Sequence, residues 1–482
     1  MDKKLLPLHP DPDQYKKQAK DLVKQHKARH PEAIGRLKLH PRFSKLSDSE
    51  LRSTKFLLAD AQLIIAREHG FGSWAEFKKR IDAINSANTP TAIWEAAKLA
   101  LIAGDELELA RLMNENQQIF RDEMPPSYGS GGLSPNYRGD DVRSIIVREH
   151  HFDNWTEFEE YKRALTQSDS SVSKFEAAVE AIVSGDAYTL ERLLKKYPEL
   201  IRARSTRKHH STLLHYIGAN GIEDFRQRTP PNAVNIALML LEAGAEVEAT
   251  AGMYGGGSTT LGLVATSIHP LEAGVQDALI ETLIEHGAKV ADVSLVNGAL
   301  ANGRKAAAEF LAGHGAPLDL EGAAGVGRLD LVRSFFNADG SLKPGAAQEQ
   351  MKDGFTWACE FGRTEVVAFL LDAGVDVNAK LKHDGQTGLH WAALGGHVET
   401  VELLLERNAP VDARDESWGS TPLGWALYGW SESASAIGAE PYYRIVELLI
   451  AAGSALMPEW LADETIRADS RMLRALSATH RL

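Results

Sequence analysis

A single cysteine, Cys359, in 482 residues excludes an intramolecular disulfide framework and any cysteine-based zinc site. The chain also lacks an apolar run of membrane-spanning length. Its first twenty residues, MDKKLLPLHPDPDQYKKQAK, place charge and proline where a signal peptide needs an apolar stretch. The expected compartment is the cytoplasm, with no membrane association. No G-K-[ST] follows a glycine-rich turn, so a nucleoside-triphosphate loop is not supported. GAAGVG at 322–327 resembles a nucleotide fingerprint only superficially, because no strand precedes it. No helix-turn-helix, zinc-finger or RNA-binding signature is present, which makes nucleic acid an unlikely partner; no metal and no cofactor are expected.

What remains is ordinary globular material, 44% hydrophobic and 25% charged. The net charge of −13 is unevenly spread: residues 1–85 carry +7, leaving −20 for the rest. A basic leader of this kind either docks on acidic surface of its own chain or is simply a solvated helix face. Tyr15, Ala19, Leu22, Val23 and His26 would form its apolar stripe, with Lys16, Lys17, Lys20 and Lys24 on the polar side.

Trp357, Trp391 and Trp425 are each separated by 34 residues, which signals a repeated unit. The clearest copy is 384–415, DGQTGLHWAALGGHVETVELLLERNAPVDARD. Asp384-Gly385 begins a turn, Thr387 is placed to cap a short helix, and Gly395-Gly396 ends it. Val398, Val401, Leu404 and Leu405 then form the apolar stripe of a second helix, while Glu399, Glu402 and Glu406 face water. Such a unit cannot bury its apolar face alone and must stack on neighbours. T-G-L-H-W-A-A at 387–393 resembles the ankyrin signature, as do Thr421-Pro422-Leu423 and T-L-L-H at 212–215.

The second-helix ending recurs six times: LLEAGAEV (240–247), LIEHGAKV (283–290), LAGHGAPL (311–318), LLDAGVDV (370–377), LLERNAPV (404–411) and LIAAGSAL (449–456). The gap of 59 between Gly315 and Gly374 predicts a degenerate unit near 322–340. A longer copy lies upstream: LIIAREHGFGSWAEF (63–77) aligns with SIIVREHHFDNWTEF (144–158) at an offset of 81, which also carries Trp94-Glu95-Ala96-Ala97 onto Phe175-Glu176-Ala177-Ala178. This is similar to bacterial ankyrin-repeat proteins with a helical leader ahead of the solenoid. The resemblance implies an all-α ankyrin-repeat solenoid: a leader over 1–90, a helix pair with the second leader copy over 91–171, repeats with insertions over 172–482, and a capping helix around Asp463–Leu476.

Three units are longer than the regular one, with extra residues in IEDFRQRTPPN (222–232), MYGGGSTTLGLVATSIHPLEAGVQ (253–276) and SESASAIGAEP (431–441). They read as loops inserted between paired helices, and long loops on a rigid scaffold are often functional. The first two bring together His215, Asn220, Arg226, Tyr254, Gly255, Gly256, Gly257, Ser258, Thr259 and His269 as candidates for a small anionic ligand. Arg226 would supply charge and the glycines close-approaching N–H groups. The plainer reading makes Thr259 and His215 ordinary cap residues and the glycines a long finger. His215, His269 and Ser258 are residue types that acid–base or nucleophilic chemistry uses, but Ser258 lies outside a G-x-S-x-G elbow and no carboxylate is placed to orient either histidine. An enzymatic role is thus the lesser expectation. His150-His151 and His209-His210 read as surface or cap residues rather than metal ligands.

The tryptophan ladder is the other candidate surface. Trp357, Trp391 and Trp425, joined by Trp418, Tyr428 and Trp430, are expected near the concave palm, as anchors for a protein partner or as packing between repeats. Binding of a protein partner on the concave face is the leading expectation for function.

Overall fold

The computed structural model describes residues 12–69, 71–87, 90–103, 105, 108–109, 111–112, 140–380 and 385–477. The chain divides into two compact units, 1–148 and 149–482. Among the described residues no helix is long and apolar enough to cross a membrane.

In the first unit the expected stripe is the buried one: Tyr15, Ala19, Leu22 and His26 of helix Pro12–Lys27 face a core that includes Ile34, Leu37, Phe43, Leu51, Ile64 and Phe77. His26 Nε2 hydrogen-bonds the carbonyl of Leu51 at 2.8 Å, and Arg36 grips Glu68 through two bonds of 2.6 and 3.0 Å.

The 81-residue duplication is structural down to its caps. Helices Leu58–Glu68 and Asp140–Glu149 are each followed by a turn and a helix that starts on tryptophan, Trp74–Ala87 and Trp155–Leu165. In both, a polar residue caps the second helix through the N–H of a glutamate, Ser73 to Glu76 (3.1 Å) and Asn154 to Glu157 (3.0 Å). That glutamate returns a bond to the preceding N–H, of Gly72 or Asp153. A histidine and a tryptophan then flank one phenylalanine: His69 and Trp74 on Phe77, His150 and Trp155 on Phe158.

Within the second unit, eight helix pairs follow one another among the described residues. The first helices are Ser171–Ser184, the 3-10 turn Leu213–Gly218, Thr260–Thr266, Val293–Ala301, Leu320–Gly325, Gln348–Glu360, Gly388–Leu394 and Pro422–Ile437. Each packs on the next along the row. The second helices are Ala187–Lys196, Ala233–Glu242, Gln276–Glu285, Lys305–Gly313, Leu329–Ser334, Thr364–Asp372, Val398–Glu406 and Glu440–Ala451. The buried core runs in two stretches, with Leu318 packed against both. The pair expected in the 59-residue gap is present as Leu320–Gly325 and Leu329–Ser334.

The recurring ending has a backbone cause. Gly244, Gly287, Gly315, Gly374 and Gly453 all take φ between 86 and 96°, and Asn408 takes 62°. Six of the eight second helices are therefore closed by a left-handed residue, a conformation that glycine adopts without penalty and asparagine tolerates.

Three sequence expectations are corrected. The excess at 431–441 is not a loop: it lengthens a first helix, which runs continuously over Pro422–Ile437 before the next begins at Glu440. The 253–276 excess divides in two. Gly255–Gly257 lie at the tip of a hairpin, Thr250–Ala251 paired with Ser258–Thr259, before the first helix, and a short helix, Ile268–Glu272, follows it. The cap is two helices, Glu464–Ala468 and Ser470–Leu476, each started by an aspartate side chain, with Met472, Ala475 and Leu476 buried. Asp384, which begins the turn of the regular unit, lies outside the described residues.

Candidate functional site

The histidine of each T-x-x-H joins its unit to the next. The N–H and hydroxyl of Thr387 lie 3.1 and 2.9 Å from His390 Nδ1, which leaves Nε2 to donate to the carbonyl of Ser420 in the following turn at 3.2 Å. His215 repeats this with Thr212 (3.2 and 2.8 Å) and the carbonyl of Ser258 (3.3 Å). Burial pushes the His215 imidazole down to about 4, so it stays neutral near pH 7. It is a fixed donor between repeats rather than a proton shuttle. Ser258 Oγ donates to the carbonyl of Met253 at 2.9 Å, and Thr259 caps the helix Thr260–Thr266 through Gly262 N–H.

Tyr254 and Asn220 are brought together. Tyr254, 74% exposed and at φ 50°, donates its hydroxyl to Asn220 Oδ1 at 2.5 Å, and Asn220 Nδ2 donates to Thr266 Oγ1 at 2.8 Å. Gly255, Gly256 and Gly257 stand exposed beyond it, all at positive φ. His269 is half-buried in the first turn of Ile268–Glu272.

Arg226 is held elsewhere. Its guanidinium lies 2.6 Å from Glu176 Oε2 and 3.7 Å from Glu223 Oε2, in a network that sequence reasoning missed. Arg207, 1% exposed, joins the same two carboxylates and donates to the Tyr161 hydroxyl at 2.7 Å. Of the surface and cap roles open to His209, burial excludes the first: the residue is 2% exposed, its Nδ1 accepts the N–H of Ser211 at 3.1 Å, and its Nε2 lies 3.4 Å from Glu223 Oε1. Burial would raise the Glu223 carboxyl, but the His209 hydrogen bond and the charges of Arg207 and Arg226 outweigh it and hold the group at about 2. Two arginines and two glutamates balance, so Arg226 meets its counter-charge inside the fold rather than presenting it to an added anion. Among the described residues no group of three His, Cys, Asp or Glu side chains is arranged to hold a metal.

The aromatic residues near the C-terminus form a cavity of about 500 Å³ lined by Trp391, Leu394, Trp418, Ser420, Gly424, Trp425 and Tyr428. Helical spacing explains the set. Leu394 follows Trp391, and Tyr428 follows Trp425, by three residues and so on one face; Trp418 and Ser420 come from the intervening turn. The Trp391 and Trp418 rings stand at 73° and 65° to that of Trp425, with centroids 5.1 and 5.8 Å away. Asp415, only 4% exposed, braces the turn: it accepts from the N–H of Trp418 (2.6 Å) and Ser420 (3.0 Å) and from the Trp425 indole (3.0 Å). Burial opposes its charge, yet these bonds hold its carboxyl below the ordinary range.

Two of the expected aromatics lie outside this cavity. Trp430 is half-buried and packs on the core, because five residues beyond Trp425 is well round the helix from Tyr428. Trp357 gives its indole N–H to Glu321 at 2.9 Å.

Residues 355–456 match the family model described as Ankyrin repeats (3 copies). The aromatic cavity falls inside that span. No curated protein matches the chain.

Proposed function

We propose that this ankyrin solenoid is a protein-interaction scaffold whose partner is bound on the concave face, with a side chain seated among Trp391, Trp418, Trp425 and Tyr428. Ankyrin repeats generally mediate protein–protein interaction, and rows of stacked units offer an extended surface for it. The observation that carries the reading is the exposure of two large aromatics on a pre-formed cavity: Trp418 is 72% and Tyr428 62% exposed. Such rings sit in water at a cost that a partner would recover. Covering aromatic surface contributes roughly 25 cal/mol per Å², and aromatic anchors dominate interface energetics. The walls are set in advance by the T-shaped contacts and the Asp415 brace, so little ordering entropy is lost on binding.

The test replaces Trp418 and Tyr428 together by alanine. Both side chains are mostly exposed, so helical circular dichroism and melting should hardly change. Affinity for a protein recovered on the immobilised wild-type chain and then purified should fall by about 2 kcal/mol or more, roughly thirtyfold. Unchanged affinity would remove this cavity from consideration.

A further inference from the structure

The side chain that enters the cavity is, we infer, cationic, presented by a basic segment of the partner and held against indole and phenol rings rather than by a direct carboxylate contact. This rests on the scaffold reading and adds the chemistry of the anchor.

Charge on the binding side points this way. Across 355–456 the sequence holds fourteen Asp and Glu against six Lys and Arg, a net of −8. Within that span the second helices carry −6 and the first helices −2, so both rows of helices share the acidic sign. On the four first helices Leu320–Gly325, Gln348–Glu360, Gly388–Leu394 and Pro422–Ile437, the charged residues are Glu321, Glu349, Asp353, Glu360 and Glu432 against Lys352 alone. Glu360 is discounted, since burial raises its carboxyl to about 8, and burial raises that of Glu321 as well; Glu349, Asp353 and Glu432 still outnumber the one lysine. Among the described residues, nearby cations on the turns and second helices are engaged: Lys380 with Glu416 at 3.4 Å, Arg407 with Asp372 at 2.8 Å, Arg444 with Glu402 at 2.9 Å, and Arg414 on the carbonyl of Gly419. An acidic segment laid on this surface would meet like charge along its length.

The cavity itself suits a cation. Three indoles and a phenol surround it, two of the indoles turned steeply to the third, so a guest cannot avoid ring faces, where the negative part of the quadrupole lies. The Asp415 carboxylate accepts the indole N–H of Trp425, one of the rings that line the cavity, at 3.0 Å, which puts negative charge at the edge of that ring. A neutral apolar side chain would gain burial here but nothing from the ring quadrupoles, from Asp415 or from the acidic helices. A guanidinium gains all three, and its planar, weakly hydrated form stacks on aromatic faces at small desolvation cost.

The test uses two synthetic peptides of one shape: one alternating arginine with glycine, and one in which each arginine is replaced by citrulline, whose neutral ureido group keeps the planar form and has a carbonyl oxygen in place of one NH2. Tryptophan fluorescence of the full chain reads binding. The arginine peptide should bind about tenfold or more tighter than the citrulline peptide. That difference should persist in part at 1 M salt, where the Debye length is about 3 Å and diffuse surface attraction is screened. It should collapse in the Trp418→Ala/Tyr428→Ala protein. Equal binding of the two peptides would overturn the cationic anchor while leaving the scaffold reading in place. An arginine preference that survives the double substitution, or vanishes at 1 M salt, would assign the cation to the general acidic surface and overturn it as well. Failure of both peptides to bind also counts against the cationic anchor, and the purified-partner measurement then judges the scaffold reading separately.

Discussion

Arg207→Met should destabilise the second unit by about 3–5 kcal/mol, the usual cost of removing one partner from a buried ion network. Arg207 is joined to Glu176, Glu223 and Tyr161, which come from three separated stretches of chain: the first helix of the solenoid, the insertion at 222–232 and the helix of the second leader copy. Methionine fills most of the same volume, so the loss reads the charge and not a cavity. With Arg207 gone, the two buried carboxylates keep Arg226 as their one arginine, and Glu223 keeps only the His209 contact besides. Acid titration identifies the cause. Glu223 is held at about 2, below its ordinary 4.5, so its contribution is fully present above pH 4.5 and is lost as pH falls toward 2. The stability gap between wild type and variant, measured by denaturant unfolding, should therefore shrink over that window. A gap below about 1 kcal/mol at pH 7, or one indifferent to pH between 4.5 and 2, would mean that the network does not hold these segments together.

The same network shows where the sequence stopped being readable. Glu176, Arg207, Glu223 and Arg226 are spread over fifty residues, and each by itself looks like a solvated charge. Arg226 in an inserted loop invited an anion-binding role, and nothing local indicated that two glutamates would meet it. Periodic features were legible because their causes are local. The glycine endings follow from a left-handed closing residue, and the leader duplication extends to the capping pairs Ser73–Glu76 and Asn154–Glu157. His215 and His390 occupy one motif position and make one set of bonds. The aromatic cavity was half legible. The 34-residue spacing marks Trp391 and Trp425, but Leu394 and Tyr428 join them, and Trp430 does not, through the 3.6-residue turn of the helix. The inserted segments were hardest, because composition does not separate an extended helix such as Pro422–Ile437 from a loop.

Leu404→Ala should cost about 2–5 kcal/mol, and its consequence should reach the aromatic cavity. Leu404 is fully buried in the second helix Val398–Glu406, in the same core as Val367, Leu370, Val401 and Leu449, which belong to that repeat and its neighbours. Truncation removes packing from both sides at once, and in a solenoid stability depends on each unit's interfaces with the next. The unit that holds Leu404 also carries Trp391 and His390, and the His390 bond to Ser420 is one of the ties fixing the turn that bears Trp418. Loosening this unit should therefore let the cavity lose shape before the rest of the chain unfolds. Tryptophan fluorescence should report an earlier transition than circular dichroism in the variant, while both coincide in wild type. Glu406→Ala, on the exposed side of the same helix, should change stability by no more than about 0.5 kcal/mol. Should Leu404→Ala melt like wild type by both probes, the stripe Val398, Val401, Leu404 and Leu405 would not be what joins these repeats.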